Sequence, residues 1–351
     1  MSSQSPLTTI PGYYARRPGI QIGTQLRHDA SEEDILMRLQ LGAEWVMTDV
    51  PREAEHSADS YQRVVERFAS YGLPVYRLAN HNVHNMPAVT LALPERDAKI
   101  AEYLAYLHHL AAAGIRYATY AHMANGIWST GTEPIRGGAL SRAFHIEQAT
   151  EGHWVGEVFR SPLSHGRAYS EAELWDNYSY FIRKVVPVAE DLGIRIGIHP
   201  DDPPVYTLAG VPRPIFGTFA GYRQALEIAD SPNIGMCLCV GCWLEGGAAM
   251  GKDVPDTIRY FGGLGKLFKV HFRNVTAPMP EGFVETFLDD GYMDMHRVMQ
   301  ALQEMGYDGA IISDHLPQMA GGRIAAEAFS LGYMRGLLQA TQNQAADQPK
   351  D

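Results

Sequence analysis

Four stretches decide the fold: IRIGIHP (194–200), IGMCLCVG (234–241), LFKVHFRN (267–274) and GAIISDH (309–315). Each is a short apolar run rich in β-branched residues and bounded by Gly or Asn, as expected of a parallel strand buried on both faces. Each also carries a polar donor near its C-terminal end: His199, Cys239, His271 and Asp314. Successive donors lie 40, 32 and 43 residues apart, about the length of one strand–helix–strand unit. In a closed (β/α)8 barrel the C-terminal strand ends converge on one mouth, so donors remote in sequence become neighbours there. Two imidazoles, a thiolate and a carboxylate suit a divalent transition ion such as Mn²⁺, Fe²⁺, Co²⁺ or Zn²⁺. The pattern reads as a metalloenzyme.

Working outward, four earlier runs complete a set of eight strands: 19–25, 43–50, 73–79 and 115–122. Helical patterns lie between strands. Ser31 is placed to cap a helix over 31–42, with acidic residues in its first turn. Pro94 is expected in the first turn of a helix that stops at Gly114. Ser170 and Glu173 have capping-box spacing for a helix over 170–193, which Pro187 should kink or divide. Residues 292–306 and 326–342 supply the last two. The expected fold is therefore α/β, a single (β/α)8 TIM barrel over 1–351. The irregular segment 123–169 is read as an insert over the mouth and 343–351 as a frayed tail. A doubly wound open sheet is the rival, but no GxGxxG follows the first strand.

Composition narrows the class further. With 46% hydrophobic and 20% charged residues the chain has ample core material. A net charge of −11 with no basic cluster argues against nucleic acid or an anionic membrane as partner. It leaves open an anionic small molecule. The three cysteines all fall between 237 and 242, which gives no disulfide framework. MSSQSPLTTIPGYYARR has no cleavable apolar leader, so a reducing cytoplasm is the simplest expectation.

Other residues near the strand ends carry softer signals. Asp201 follows His199 in His-Pro-Asp-Asp-Pro-Pro, where the prolines fix the backbone. Arg273 shares a strand face with His271 and is a candidate carboxylate clamp, with Asn274 beside it as a substrate contact. Cys239 is preferred to Cys237 as ligand because it lies nearer the mouth; Cys237 then reads as a buried small hydrophobe. A zinc knuckle built on C-x-C-x-x-C would need a further ligand close by. His315, adjacent to Asp314, is a candidate general acid or base. His84, His122, Trp128 and Arg142 are candidate pocket residues.

At this point the chain resembles the mannonate dehydratases of the xylose-isomerase-like barrel group. The likeness is strongest over 168–315. It is carried by AYSEAELWDNYSYFIRKVVPVAEDLGIRIGIHPDDPP (168–204), GVPR (210–213), NIGMCLCVG (233–241), VHFRNV (270–275), GYMDM (291–295) and SDH (313–315). GIRYATYAHMANGIWST (114–130) resembles a diverged form of a further family stretch, and the first 110 residues match loosely. The resemblance implies ligation by His199, Cys239, His271 and Asp314, with Mn²⁺ preferred, and proton transfer by His315. It implies removal of water from a D-mannonate-like sugar acid through a metal-stabilised enediolate, giving a 2-keto-3-deoxy acid. Barrels of this group also associate, so a homo-oligomer is expected. The chain departs from the family pattern where Ser313 and Leu316 flank Asp314–His315, where Gly322 replaces a tyrosine and where Leu288 replaces a histidine. A sugar epimerase or isomerase, or a β-eliminating lyase on a keto-sugar, is the alternative on the same metal logic. A binding protein without turnover is the third reading.

Overall fold

The computed structural model describes residues 18–347. Eight parallel strands form its centre: β1 (Ile20–Gln25), β2 (Trp45–Val50), β3 (Val75–Asn80), β4 (Tyr117–Ala121), β5 (Arg195–His199), β6 (Ile234–Cys239), β7 (Leu267–Phe272) and β8 (Gly309–Ser313). They hydrogen-bond in the order β3-β2-β1-β8-β7-β6-β5-β4, so strands adjacent in sequence are adjacent in space and β8 closes onto β1. Between β3 and β4 the chain after β3 bridges the gap. Ala121 N–H donates to the His84 carbonyl at 2.8 Å, and Met123 N–H donates to Asn85 Oδ1 at 2.9 Å. The expected (β/α)8 barrel is the observed fold, and all eight expected strands are present.

Strand alternation sorts the core into two layers. Ile22, Val46, Leu78, Ile198, Leu238, Val270 and Ile311 face outward into the main cluster under the helices. Trp45, Met47, Tyr76, Tyr117, Phe268, Ala310 and Ile312 form a second cluster. Most of this second group lies early in its strands, so it plugs the N-terminal end of the barrel and leaves the C-terminal end for polar groups.

The longer helices are α1 (Glu32–Gln40), α2 (Ala58–Ser70), α3 (Arg96–Ala112), α4 (Glu171–Asp191), α5 (Phe219–Ala229), α6 (Val240–Gly246), α7 (Val254–Gly263), α8 (Met295–Glu304) and α9 (Gly322–Asp347). Ser31 caps α1 through the Asp34 amide, and Ser170 with Glu173 forms the full capping box of α4. Two helix expectations change. Pro94 stands ahead of Glu95, the N-cap of α3, rather than inside the first turn. Helix α4 runs through Pro187 to Asp191 as one element. Helix α9 continues to Asp347; residues 1–17 and 348–351, which include the leader reading and the end of the tail, lie outside the described residues.

Segment 123–169 is not irregular. Its short strands Ile127–Trp128, Glu151–Trp154 and Glu157–Arg160 form one antiparallel sheet. Gly131–Pro134 and Leu140–Phe144 join Phe283–Thr286, from the loop after β7, in another. Strands of two to five residues carry little periodic signal, which is why the sequence hides them. The pairing of Leu140–Phe144 with Phe283–Thr286 brings the insert to the barrel mouth.

Candidate active site

His199, Cys239, His271 and Asp314 each offer one ligand atom, and these atoms all lie within 4.8 Å of one another. Strand β5 ends on His199, β6 on Cys239 and β8 one residue before Asp314, while His271 is the penultimate residue of β7. The register pairs Cys239 with His271 directly across β6 and β7. Barrel closure, not local spacing, brings the four together.

The second nitrogen of each ring shows what the first is for. His199 Nδ1 donates to the Pro200 carbonyl at 2.7 Å, which leaves the Nε2 lone pair aimed at the cluster. His271 places Nε2 against Cys237 Sγ at 3.6 Å and turns Nδ1 inward. The two inward nitrogens approach to 3.2 Å, and Asp314 Oδ1 lies 3.2 Å from His271 Nδ1. Cys239 Sγ accepts from the Cys242 amide at the start of α6 and sits 3.7 Å from Asp314 Oδ2. Burial alone would raise the Cys239 thiol; a hydrogen bond from the Cys242 thiol and the Arg273 charge outweigh it and hold the group well below its ordinary value. Two lone pairs, a thiolate and a carboxylate converging in this way fit a divalent cation. Cys237, expected as an inert hydrophobe, instead holds the far side of the His271 ring.

Beside the cluster lies a buried network of charge. Arg273, 1% exposed on its side chain, meets Glu245 at 2.7 Å and also Glu285. Arg142, delivered by the insert, reaches Asp202 at 2.5 Å, Glu245 at 3.0 Å and Glu285 at 2.8 Å. Burial would raise both Asp202 and Glu285. The arginines overcome it at Asp202, and His315 with the arginines overcomes it at Glu285, which is brought down to about 2. Glu245, crowded by burial and by Asp202, is pushed the other way, above the ordinary carboxylate range.

His315 closes the network. Its Nδ1 donates to Glu285 Oε1 at 2.7 Å, and Arg273 Nη1 shares the same oxygen. Burial opposes protonation of the ring, but Glu285 and Asp314 outweigh it and lift the group to about 9. The side chain remains 38% exposed and lines a cavity of about 520 Å³ together with Asp314, Gln318 and Arg323. One ring edge is fixed by a carboxylate while the ring borders open space, as proton transfer requires.

The remaining expected site residues fall elsewhere. Arg273 has its fork on carboxylates of the protein, so it is not open as a substrate clamp. A Cβ at Gly241 would stand 1.8 Å from Arg273 Nε, so only glycine lets α6 approach the guanidinium. Asn274 is fully buried and ties the 288–293 turn through the Leu288 and Met293 carbonyls. Trp128 is fully buried, with its indole N–H on the Asn125 carbonyl. His122 is 5% exposed, ringed by Tyr178, Phe181 and Phe216, and burial pulls it down to about 3. Asp201 is buried near His122 and Arg213 around a void of about 10 Å³, too small for a sugar. His84 stacks on Trp154 at 5.5 Å and is half-buried.

Sequence reasoning missed Glu245, Glu285 and Lys269. Lys269 is fully buried two residues before His271, and its ammonium has no hydrogen-bond partner among the described residues. A charged residue inside an apolar strand was the available signal for Lys269 and for Glu285, where Phe283 and Glu285 share a face.

Residues 155–348 match the family model described as D-mannonate dehydratase (UxuA). Mannonate dehydratase 2 of Halalkalibacterium halodurans is 30% identical over 276 residues, covering 72% of this chain and 79% of that protein. The crystal structure of mannonate dehydratase from Streptococcus suis serotype 2 superposes with a TM-score of 0.80 at 23% identity, covering 94% of this chain and 97% of that one. A xylose isomerase domain protein from Planctomyces limnophilus shares the fold with a TM-score of 0.59 at 13% identity, covering 95% of this chain and 100% of that one.

Proposed function

The chain belongs to the D-mannonate dehydratase family, and from that premise we propose that it is a divalent-metal-dependent lyase that removes water from a D-mannonate-like sugar acid. The observation that carries this is the four-donor cluster with His315 beside it on an open cavity. His199, Cys239, His271 and Asp314 would hold the ion, with Mn²⁺ as the first expectation. When bound, such an ion acts as a Lewis acid on substrate oxygens.

The chain's own residues supply the rest. In dehydration the C2 hydrogen leaves as a proton to solvent. Its electron pair forms a C2–C3 double bond as the C3–O bond breaks to release one water, and the enol left behind becomes the 2-keto-3-deoxy acid. The departing C3 hydroxyl needs a proton, and His315, bordering the open cavity, would give it. Glu285 keeps the imidazole oriented and charged, while Arg142 and Arg273 keep Glu285 ionised. The insert therefore belongs to the chemistry through Arg142. The three free, buried cysteines suit a reducing compartment, and we propose the cytoplasm. Among the described residues, no helix is long and apolar enough to cross a membrane.

Leu288 and Gly322, where the family pattern has an imidazole and a phenol, favour a second reading: an epimerase or isomerase on the same site. Neither residue supplies a proton donor. Incubation of the Mn²⁺-loaded protein with D-mannonate in deuterated water separates the two. Dehydration gives a deoxy-keto acid, whereas epimerisation or isomerisation returns labelled product of unchanged formula.

A further inference from the structure

A second cavity, of about 370 Å³, opens at the C-terminal ends of β1, β2 and β3 and is lined by Arg27, Arg38, Arg77 and Arg323 against Asp34 and Asp49. In a chain of net charge −11 this is a local reversal of sign. Most of its charges are already matched. Arg27 is bidentate to Asp29, Arg38 pairs with Asp34 and Glu327, and Asp49 meets His81 at 3.1 Å. Two cations are left over. Arg77 is half-buried; among the described residues it has no carboxylate within 4 Å, donates one hydrogen bond to the Thr48 carbonyl, and keeps a buried Nε without a partner. Arg323 makes no hydrogen bond or ion pair with any described residue, and it lines both this cavity and the one bordered by Asp314 and His315.

Two uncompensated guanidinium groups on one concave surface, one of them shared with the candidate catalytic cavity, form a receptor for a carboxylate. We infer that Arg77 and Arg323, not Arg273, bind the carboxylate of the sugar acid and so set the preference for acids over neutral sugars. This rests on the lyase reading for the identity of the substrate, but not for the charge preference itself. A clamp of this kind contributes to ground-state binding, so its loss should appear in KM and Kd rather than in kcat.

The test compares Kd values of Mn²⁺-loaded protein for D-mannonate and D-mannose, by calorimetry, in wild type, Arg77→Gln, Arg323→Gln and Arg323→Lys. The wild type should prefer the acid by at least about tenfold, and each glutamine variant should lose about ten- to a hundredfold for the acid alone. Arg323→Lys should recover part of that loss, and unchanged thermal melting should show that the variants fold. Where D-mannonate is turned over, KM should rise with kcat within a few-fold. If D-mannonate binds preferentially but is not dehydrated, the lyase reading fails and the arginine inference stands. Equal affinity for acid and neutral sugar, binding of neither, or full retention of acid binding in both glutamine variants overturns the inference.

Discussion

His271 Nε2 lies 3.6 Å from Cys237 Sγ, on the ring edge opposite its 3.2 Å approach to His199. A thiol two residues upstream of a candidate ligand thus orients a different ligand. Outer partners of this kind commonly change metal affinity by about ten- to a hundredfold. Cys237→Ala is expected to weaken Mn²⁺ binding by that amount, and Cys239→Ala to weaken it far more. Competition against a chelator measures both; equal affinities for Cys237→Ala and wild type would remove the orienting role.

Glu285 joins the insert, the barrel and His315. Replacing it with glutamine leaves Arg142 and Arg273 short of negative charge in a buried site. Breaking a buried pair in this way costs roughly 3–5 kcal/mol. Urea unfolding should show a loss of that order for Glu285→Gln. His315→Ala, on a side chain 38% exposed, should leave stability nearly unchanged while lowering turnover by about 10²–10⁴-fold. A stable Glu285→Gln protein would contradict the network.

Gly241 is the point of closest approach between α6 and Arg273. Because a Cβ there would meet Arg273 Nε at 1.8 Å, Gly241→Ala must move the guanidinium off Glu245 or shift α6. Overpacking of this sort costs about 1–3 kcal/mol. Here the displaced charge should also weaken metal binding, since Cys239 caps the same helix. A variant with normal stability and metal affinity would show that α6 yields freely.

His122 gives a pH-dependent prediction independent of the metal cluster. Burial lowers its folded value to about 3, below the ordinary value near 6.5. As pH falls below 6.5 the unfolded chain takes a proton that the folded chain refuses, so stability declines until about pH 3. The slope from this group is about 1.4 kcal/mol per pH unit. Unfolding free energies at pH 7, 5.5 and 4 should therefore fall less steeply in His122→Phe than in wild type. Parallel pH profiles would mean that His122 titrates normally.

The strands and the donor cluster were legible for one reason. Buried parallel strands announce themselves as continuous apolar runs, and a polar residue at the end of such a run stands out, as His199 and Asp314 do. The charge network was not legible. Arg142, Asp202, Glu245, Arg273, Glu285 and His315 share no spacing, and only the pairing of Leu140–Phe144 with Phe283–Thr286 brings the insert to the mouth. Helices α2, α5 and α7 went unnamed in the sequence although Ser57, Thr218 and Asp253 cap them. Asn274, Trp128 and His122 looked like pocket residues because polar and aromatic types near strand ends suggest contact with a ligand. In the fold Asn274 and Trp128 donate to backbone carbonyls, and His122 Nδ1 meets the Tyr120 hydroxyl.

Metal stoichiometry tests the central claim most directly. Purified protein loaded with Mn²⁺ and dialysed should retain about one ion per chain by plasma mass spectrometry, and the combined His199→Ala, Asp314→Ala variant should retain almost none. Wild type that holds no ion, or a double variant that holds as much as wild type, would contradict it.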